Sequence, residues 1–290
     1  MTKEEQSIKF IEGLYDDRKE NIVAFSGGKD SVVLYHLTKK TNLKFDYVYC
    51  NTTIDPPNHI SFIRKNFPDV RISQPRYSFY QLIEKYGLPT RMNRFCCQHL
   101  KEYVGKGAKV FEGVRIDEGS RRKSRLSKLK EPESCDTRIK NKIHAYPIMY
   151  WTNDEIWKYI HDNNLPVSDF YSLGFPRLGC VGCPMGTQFQ RIVKYRLYPR
   201  FVYAAIKAID KNIQAKRSIS KFFDCPYEAF YWWISNDKII LFKEKYIENT
   251  DFKAVVKKLF PLNTTGLKRN DKKFVKNLYN RVNTDILKLK

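Results

Sequence analysis

A hexapeptide near the start of the chain has the residue types of a phosphate-binding loop: Ser26-Gly27-Gly28-Lys29-Asp30-Ser31. It follows a short apolar run and precedes a helical pattern, so it lies between a strand and a helix. The glycines let the backbone approach an anion closely, and the free N–H groups of the helix point at that anion. The serines add hydroxyl donors and the lysine adds charge, while the aspartate either orients the loop or helps to hold Mg²⁺. We therefore expect phosphates to bind at residues 26–31, the phosphate loop.

Four cysteines form a second candidate site, the four-cysteine site. Cys96 and Cys97 are adjacent, and Cys180 and Cys183 form a Cys-x-x-Cys pair with glycines beside it. Four thiolates suit either Zn²⁺ or a 4Fe–4S cluster, and the glycines allow N–H groups to turn toward the sulfurs. The side chains of adjacent cysteines fold with difficulty onto one small tetrahedral ion, so the spacing favours the cluster. Zinc and four unliganded cysteines are the alternatives.

Basic residues follow a predicted strand, at the end where open α/β sheets place ligands. Arg115 comes just after this strand, and a run without acidic residues at 119–130 adds Arg121, Arg122 and Arg125. Guanidinium groups bind phosphate through two parallel hydrogen bonds, so these side chains are candidates to clamp phosphates. The run itself is typical of a solvated, mobile loop. A nucleic-acid contact is the alternative role for the arginines of this loop.

Cys135 lies in a polar stretch before a further predicted strand. That setting predicts an accessible thiol in a loop. Arg138 and Lys140 favour the thiolate, which is the nucleophilic form, whereas Glu133 and Asp136 oppose it. If the loop folds over the nucleotide, Cys135 carries a persulfide or acts as a reducing thiol. The alternative is an incidental surface cysteine.

Strands and helices alternate around these residues. Apolar runs predict strands at 22–25, 45–50, 70–72, 109–114 and 144–149, and helical patterns occur at 1–14, 31–40, 59–67 and 79–86. Alternation of this kind indicates βαβ units, and hence an α/β fold with a doubly wound, mostly parallel sheet. We expect a nucleotide-binding domain at 1–189 that contains the four-cysteine site. A basic, mainly helical C-terminal extension is expected at 190–290.

The composition indicates an anionic partner. Lysine and arginine number 53 against 31 acidic residues, and the net charge of +22 favours nucleic-acid binding over an ordinary lysine-rich surface. No apolar run approaches the ~18 residues that cross a bilayer. Because the charged N-terminus is also unlike a signal peptide, we expect a cytoplasmic protein with no membrane partner. The pair Trp232-Trp233 is expected in the core rather than as a base-stacking platform, and lysines recur from 253 to 276.

The phosphate loop resembles the signature of the PP-loop superfamily, whose members bind ATP or related adenine nucleotides on a doubly wound sheet. Within that superfamily, the chain most resembles the phosphoadenosine phosphosulfate (PAPS) reductase family over about residues 20–186. The segments that carry this resemblance are 94–101, 112–121, 147–157 and 165–184, which include Trp151, Tyr171 and Gly174.

This resemblance implies roles for several residues. Gly113 and Arg115 border the nucleotide, which is ATP, PAPS or adenylyl sulfate (APS), and Asn51 and Thr52 lie on the adenosine side. The cysteine pattern is similar to that of cluster-containing sulfonucleotide reductases, which implies a 4Fe–4S cluster at the four-cysteine site. Lys101 stands at the family's lysine position and faces the cluster or the substrate anion.

One departure from the family concerns the reducing thiol, which its reductases carry near the C-terminus. This sequence has no cysteine after Cys225. The resemblance then favours sulfur insertion, in which ATP adenylates DNA or tRNA and sulfur displaces AMP. The catalytic candidates are Lys29, Asp30, Arg115 and Cys135. A sulfur donor such as a cysteine desulfurase, and a homo-oligomer, fit this chemistry. The alternatives are a sulfonucleotide reductase with an unconventional thiol and a non-catalytic nucleotide- or nucleic-acid-binding protein.

Overall fold

The computed structural model describes residues 1–129, 133–136, 142–235, 237–246, 250–262 and 276–278. Its strands are β1 Asn21–Ala24, β2 Asp46–Cys50, β3 Arg71–Ser73, β4 Lys109–Glu112, β5 Glu133–Asp136 and β6 Lys142–Ala145. They form one sheet in the order β3-β2-β1-β4-β6-β5. Five strands are parallel, and β5 pairs antiparallel with β6 at the edge. The predicted α/β fold with a mostly parallel sheet is therefore confirmed.

Helices cover the sheet and make up most of the described chain after it. They are α1 Lys3–Leu14, α2 Lys29–Lys39, α3 His59–Asn66, α4 Phe79–Tyr86, α5 Phe95–Leu100, α6 Ser120–Leu126, α7 Asn153–Asp162, α8 Gln188–Leu197, α9 Pro199–Gln214, α10 Pro226–Ser235, α11 Ile239–Lys245 and α12 Phe252–Leu259. Capping boxes begin α1, α4, α7 and α8, which satisfies N–H groups that have no partner inside the helix. None of the helices in the described residues is long and apolar enough to span a membrane.

Two large hydrophobic cores hold these elements. The first packs α1, α2 and α7 against the sheet, with Val33 and Phe111 fully buried. The second joins α4 and α5 to the helices after residue 190, and Trp233 is buried in it with Trp232 packed alongside, as expected. The second core contains residues from both sides of the predicted boundary near 190. The division into domains at 1–189 and 190–290 stays a prediction.

Two predictions about loops are wrong. The run at 119–130 contains α6, whose Leu126 is buried in a small core with Tyr146 and Met149, so one apolar anchor suffices to order a basic helix. Cys135 lies in the edge strand β5, where the backbone of residue 135 is in register with Ile143 of β6. A polar strand gives no alternating pattern, which explains why it was not predicted. The side chains of Cys135 and Arg121, and the whole of Arg138 and Lys140, lie outside the described residues.

Candidate functional site

The phosphate loop connects β1 to α2 through a tight turn. Gly27 has a φ of 69°, and a Cβ placed on it would stand 2.5 Å from Cε1 of His59, so only glycine fits here. Hydroxyl groups close the turn from inside. The Ser31 hydroxyl accepts a hydrogen bond from the Ser26 N–H at 3.1 Å and donates to the Gly28 carbonyl at 2.9 Å. The loop therefore keeps its shape through bonds among its own residues.

The charged side chains of the loop form a buried network. Arg115 donates to Asp30 Oδ1 at 2.6 Å and to the Trp151 carbonyl at 3.2 Å, and Lys29 donates to Asp30 Oδ2 at 3.1 Å. The side chains of Lys29 and Arg115 are only 5% and 2% exposed, so water screens these contacts little. Gly113 permits the approach, because a Cβ there would be 2.9 Å from the Asp30 backbone. Asp30 thus fixes the positions of Lys29 and Arg115, and a role for it in holding Mg²⁺ stays a prediction.

A segment at 168–186, the covering segment, lies over the phosphate loop. The hydroxyl of its Tyr171 accepts a hydrogen bond from the Lys29 backbone N–H at 2.8 Å. Burial raises the pKa of Tyr171 to about 12, so the phenol is neutral at physiological pH. The Leu178 Cβ is 3.8 Å from the position of a Cβ on Gly28. Tyr171 thus occupies one of the amides at the helix start that bind phosphate in loops of this type.

His59 also supports the phosphate loop. Its Nε2 is 2.9 Å from the Ser26 carbonyl, to which the protonated nitrogen donates. Burial lowers the pKa of His59, and its Nδ1 is buried with no hydrogen-bond partner among the described residues, so the ring is neutral with the proton on Nε2.

The end of β2 connects the predicted adenosine side to the four-cysteine site. Thr52 is 1% exposed, and its N–H donates to Asp55 at 3.0 Å. Its hydroxyl oxygen accepts a hydrogen bond from the Cys180 thiol, with 3.6 Å between sulfur and oxygen. The side-chain N–H of Asn51 donates a hydrogen bond to Gln74 Oε1 at 2.8 Å, and its side-chain oxygen accepts one from the Thr53 N–H. Adenosine binding at Asn51 and Thr52 stays a prediction.

The four cysteines come from two elements that the fold brings together. Cys96 and Cys97 lie on α5, and Cys180 and Cys183 lie in the covering segment. Gly182 between the last two has a φ of 73°, and a Cβ there would overlap the Tyr195 hydroxyl at 1.9 Å. That turn is therefore pressed against α8.

Hydrogen bonds from other segments hold the covering segment in place. The Val181 N–H donates to the Ile54 carbonyl at 2.8 Å. Arg91 donates to the carbonyls of Pro184 and Gly186, both at 3.1 Å. The Cys-x-x-Cys turn is therefore fixed to the β2–α3 connection and to the chain before α5.

Electrostatic effects show that the cysteines share one neighbourhood. A hydrogen bond from Cys96 to Cys97 raises the pKa of Cys96 and lowers that of Cys97, and the charges of Cys180 and Cys183 raise the pKa of Cys96 further. Burial raises the pKa of Cys180. When ionised, Cys180 is the main cause of a raised pKa at Lys101, followed by Asp55, Cys97 and Cys183. In the described part of the chain, no three His, Cys, Asp or Glu side chains form a group that could hold one metal ion. The donor set, four thiolates beside a lysine, fits a 4Fe–4S cluster, which takes each thiolate on a different iron.

Arginines lie beside the phosphate loop on the α6 side. Arg122 forms an ion pair with Glu118. Burial lowers the pKa of Arg122, and the positive charges of Arg177 and Arg125 lower it further, while Asp30 opposes them. Guanidinium groups that repel one another are stabilised by an anion between them. We name Arg122, Arg125 and Arg177 the arginine rim.

Several residues of these sites were not predicted from the sequence. Tyr171 was recognised only as part of the family pattern, and His59 and Arg177 had no assigned role. The family pattern that includes Tyr171 was the one available signal for these residues. The contacts of Tyr171, His59 and Arg177 join segments that are distant in sequence, so no local pattern predicts them.

The chain is similar to several known proteins. The sequence model of the phosphoadenosine phosphosulfate reductase domain matches residues 20–186. An uncharacterized protein of Methanocaldococcus jannaschii is 30% identical over 68% of this chain and 50% of its own length, so the match spans half of that relative. An adenosine 5′-phosphosulfate reductase of Oceanobacillus iheyensis is 29% identical over 60% of this chain and 76% of its own. A phosphoadenylyl-sulfate reductase structure from Candida auris aligns with a TM-score of 0.46 at 17% identity, covering 62% of this chain and 88% of that one.

Proposed function

Because the chain belongs to the phosphoadenosine phosphosulfate reductase domain family, we propose that it cleaves ATP to AMP and pyrophosphate to activate a nucleic acid, DNA or tRNA, for sulfur insertion. A 4Fe–4S cluster on Cys96, Cys97, Cys180 and Cys183 would assist the sulfur step. One observation carries this proposal: a single segment touches the phosphate loop through Tyr171 and supplies two of the four thiols. The proposed nucleotide site and the four-cysteine site would therefore lie next to each other.

The chain's own groups suit the activation step. An oxygen of the acceptor would attack the α-phosphorus of ATP, the bond to the bridging β-oxygen would break, and pyrophosphate would leave. Lys29 and the N–H groups of the phosphate loop would neutralise the charge on the departing phosphates. Asp30 holds Lys29 and Arg115 in place for this purpose. A sulfur nucleophile at the oxidation level of sulfide would then attack the acceptor, and AMP would leave with the acceptor oxygen.

Mg²⁺ would supply further charge neutralisation, entering with the phosphates. Both oxygens of Asp30 already contact cations, Arg115 on Oδ1 and Lys29 on Oδ2. Asp30 therefore fits an orienting role better than direct ligation of the metal.

The arginine rim and the net charge support a nucleic-acid acceptor. Arg122, Arg125 and Arg177 concentrate positive charge beside the phosphate loop, and the whole chain carries +22. Binding through phosphates releases counterions, so affinity for nucleic acid should fall steeply as salt rises. Sulfur would come from an outside donor such as a cysteine desulfurase or through a persulfide on Cys135. In either case a thiol reductant, oxidised to a disulfide, would supply the two electrons that bring persulfide sulfur to the level of sulfide.

A direct test uses anaerobically purified protein with ATP, Mg²⁺ and total tRNA or DNA. We expect pyrophosphate only when the nucleic acid is present, and AMP when sulfide is added as well. Lys29→Met should abolish the release, and Lys207→Met, which removes an exposed lysine of α9, should leave it unchanged. ATP that stays intact with every nucleic acid would contradict the proposal.

A second candidate is sulfonucleotide reduction, favoured by the adenosine 5′-phosphosulfate reductases among the relatives. Parallel reactions with APS or PAPS and a thiol reductant distinguish the two. Sulfite from either substrate, without pyrophosphate from ATP, would establish the reductase. If neither product forms while nucleotide binds, the non-catalytic alternative holds.

A further inference from the structure

Helix α8 lies beyond residues 20–186, the range that matches the family, and brings two buried cations to the four-cysteine site. Lys194 is 8% exposed and Arg191 is 1% exposed. A pocket of about 30 Å³ is lined by both of them together with Cys180 and Cys183. Two basic side chains of α8 therefore line the same pocket as two of the four cysteines.

Each cation is held in a fixed position. The Lys194 ammonium donates to the carbonyl of Gly179, the residue before Cys180, at 3.0 Å. The Arg191 guanidinium donates to the Trp233 carbonyl at 2.7 Å and lies over the Trp233 ring at 4.8 Å from its centre. Lys194 is thus held against the Cys-x-x-Cys turn, and Arg191 is held against the hydrophobic core that contains Trp233.

A buried ammonium is costly unless a negative charge compensates it. Among the described residues, no carboxylate forms an ion pair with Lys194. Two sulfurs, those of Cys180 and Cys183, line the same pocket as Lys194. The thiolates of the four-cysteine site are accordingly the anions that match this lysine.

We propose that Lys194, assisted by Arg191, is a positioning residue whose charge stabilises the negatively charged cluster, so that the helical region completes the four-cysteine site. The inference rests on the cluster of the proposed function. Four thiolates around a 4Fe–4S core in its 2+ state carry a net charge of −2, and one added electron makes it −3. A fixed cation stabilises the more negative state and raises the reduction potential.

The test compares Lys194→Met with Lys194→Arg and with the exposed-lysine control Lys207→Met. Anaerobically reconstituted Lys194→Met should show a lower reduction potential, and a chelator should remove its iron about tenfold faster. Lys194→Arg should restore most of both properties, and Lys207→Met should match the wild type. Equal potentials and equal iron release in wild type and Lys194→Met would overturn the inference.

Thermal unfolding separates an electrostatic role from a purely structural one. Without the cluster, Lys194→Met should unfold close to wild type, because the negative charge of the cluster, which the ammonium would stabilise, is absent. With the cluster, it should unfold lower. An equal loss in both forms would mean that Lys194 merely packs, and would overturn the inference.

Zinc uptake without sulfide in the wild type would contradict the 4Fe–4S cluster of the proposed function. The charge argument would then predict about tenfold weaker zinc binding by Lys194→Met. Equal zinc affinities would overturn the inference separately.

Discussion

The phosphate loop and the four-cysteine site both contact the covering segment, yet different parts of the chain build them. Six consecutive residues make the phosphate loop, and its turn is closed by bonds between Ser26, Gly28 and Ser31. The four cysteines come from α5 and the covering segment, whose turn packs against Tyr195 of α8. A site built from neighbouring residues tolerates changes elsewhere, whereas a site built from distant segments depends on how they pack. Substitutions should therefore separate the two sites.

The largest expected effect is the loss of the cluster from Cys183→Ser. A serine oxygen is a poor replacement for a thiolate on iron, so iron and acid-labile sulfide should fall from about four each per chain to near zero. Nucleotide binding, measured by calorimetry, should change little. Cys225→Ser, which alters a cysteine outside the site, should keep both. Loss of nucleotide binding in Cys183→Ser would show that the two sites do not act separately.

Next in size is the loss of stability from Asp30→Asn. The asparagine oxygen can still accept a hydrogen bond from Arg115, but the buried guanidinium loses the negative charge that compensates it at 2.6 Å. Leaving a buried charge uncompensated costs about 3 kcal/mol. Denaturant unfolding should show this loss. Asp117→Asn, which alters a half-exposed partner of the same arginine, should cost less than about 1 kcal/mol. Similar costs for the two variants would mean that Asp30 does not organise the loop.

Gly27→Val should weaken adenine-nucleotide binding about tenfold to a hundredfold, equivalent to roughly 1.4–2.8 kcal/mol. A branched residue strains a backbone with φ of 69°, and its Cβ would collide with His59. Gly107→Val is a matched control, because Gly107 has a φ of 74° but nothing within 4 Å of the added Cβ. Its nucleotide affinity should equal that of the wild type. Equal affinities for all three proteins would place the nucleotide elsewhere.

The smallest expected effect is tighter nucleotide binding by Tyr171→Phe, about threefold to tenfold, in line with one hydrogen bond of 0.5–1.5 kcal/mol. Removing the hydroxyl leaves the Lys29 N–H without its 2.8 Å partner and available to phosphate. Tyr150→Phe, at an exposed tyrosine, should leave the affinity unchanged. Weaker binding by Tyr171→Phe would show that the hydroxyl contacts the ligand instead of competing with it.

The difference between the two sites also explains what the sequence predicted. The strand, turn and helix of the phosphate loop were predicted from the sequence, because they are consecutive and each has a local signal. Phosphate binding there stays a prediction. No local pattern predicted the contact of Arg115 with Asp30 or the burial of Lys194. Both depend on which segments pack together in the fold. Helix α6 and strand β5 were missed for a related reason: their sequences are polar, and they are held by Leu126 and by pairing with β6.

The most direct measurement of the central claim follows labelled sulfur into nucleic acid, with ATP present and air excluded. The sulfur is supplied as sulfide, or as cysteine with a cysteine desulfurase and a thiol reductant. Mass spectrometry of the digested nucleic acid and assay of AMP in the same reaction give the stoichiometry. We expect one sulfur in the nucleic acid for each AMP released, and neither product when Lys29→Met replaces the wild type. Sulfite formed from APS or PAPS, with no sulfur in any nucleic acid, would contradict the account.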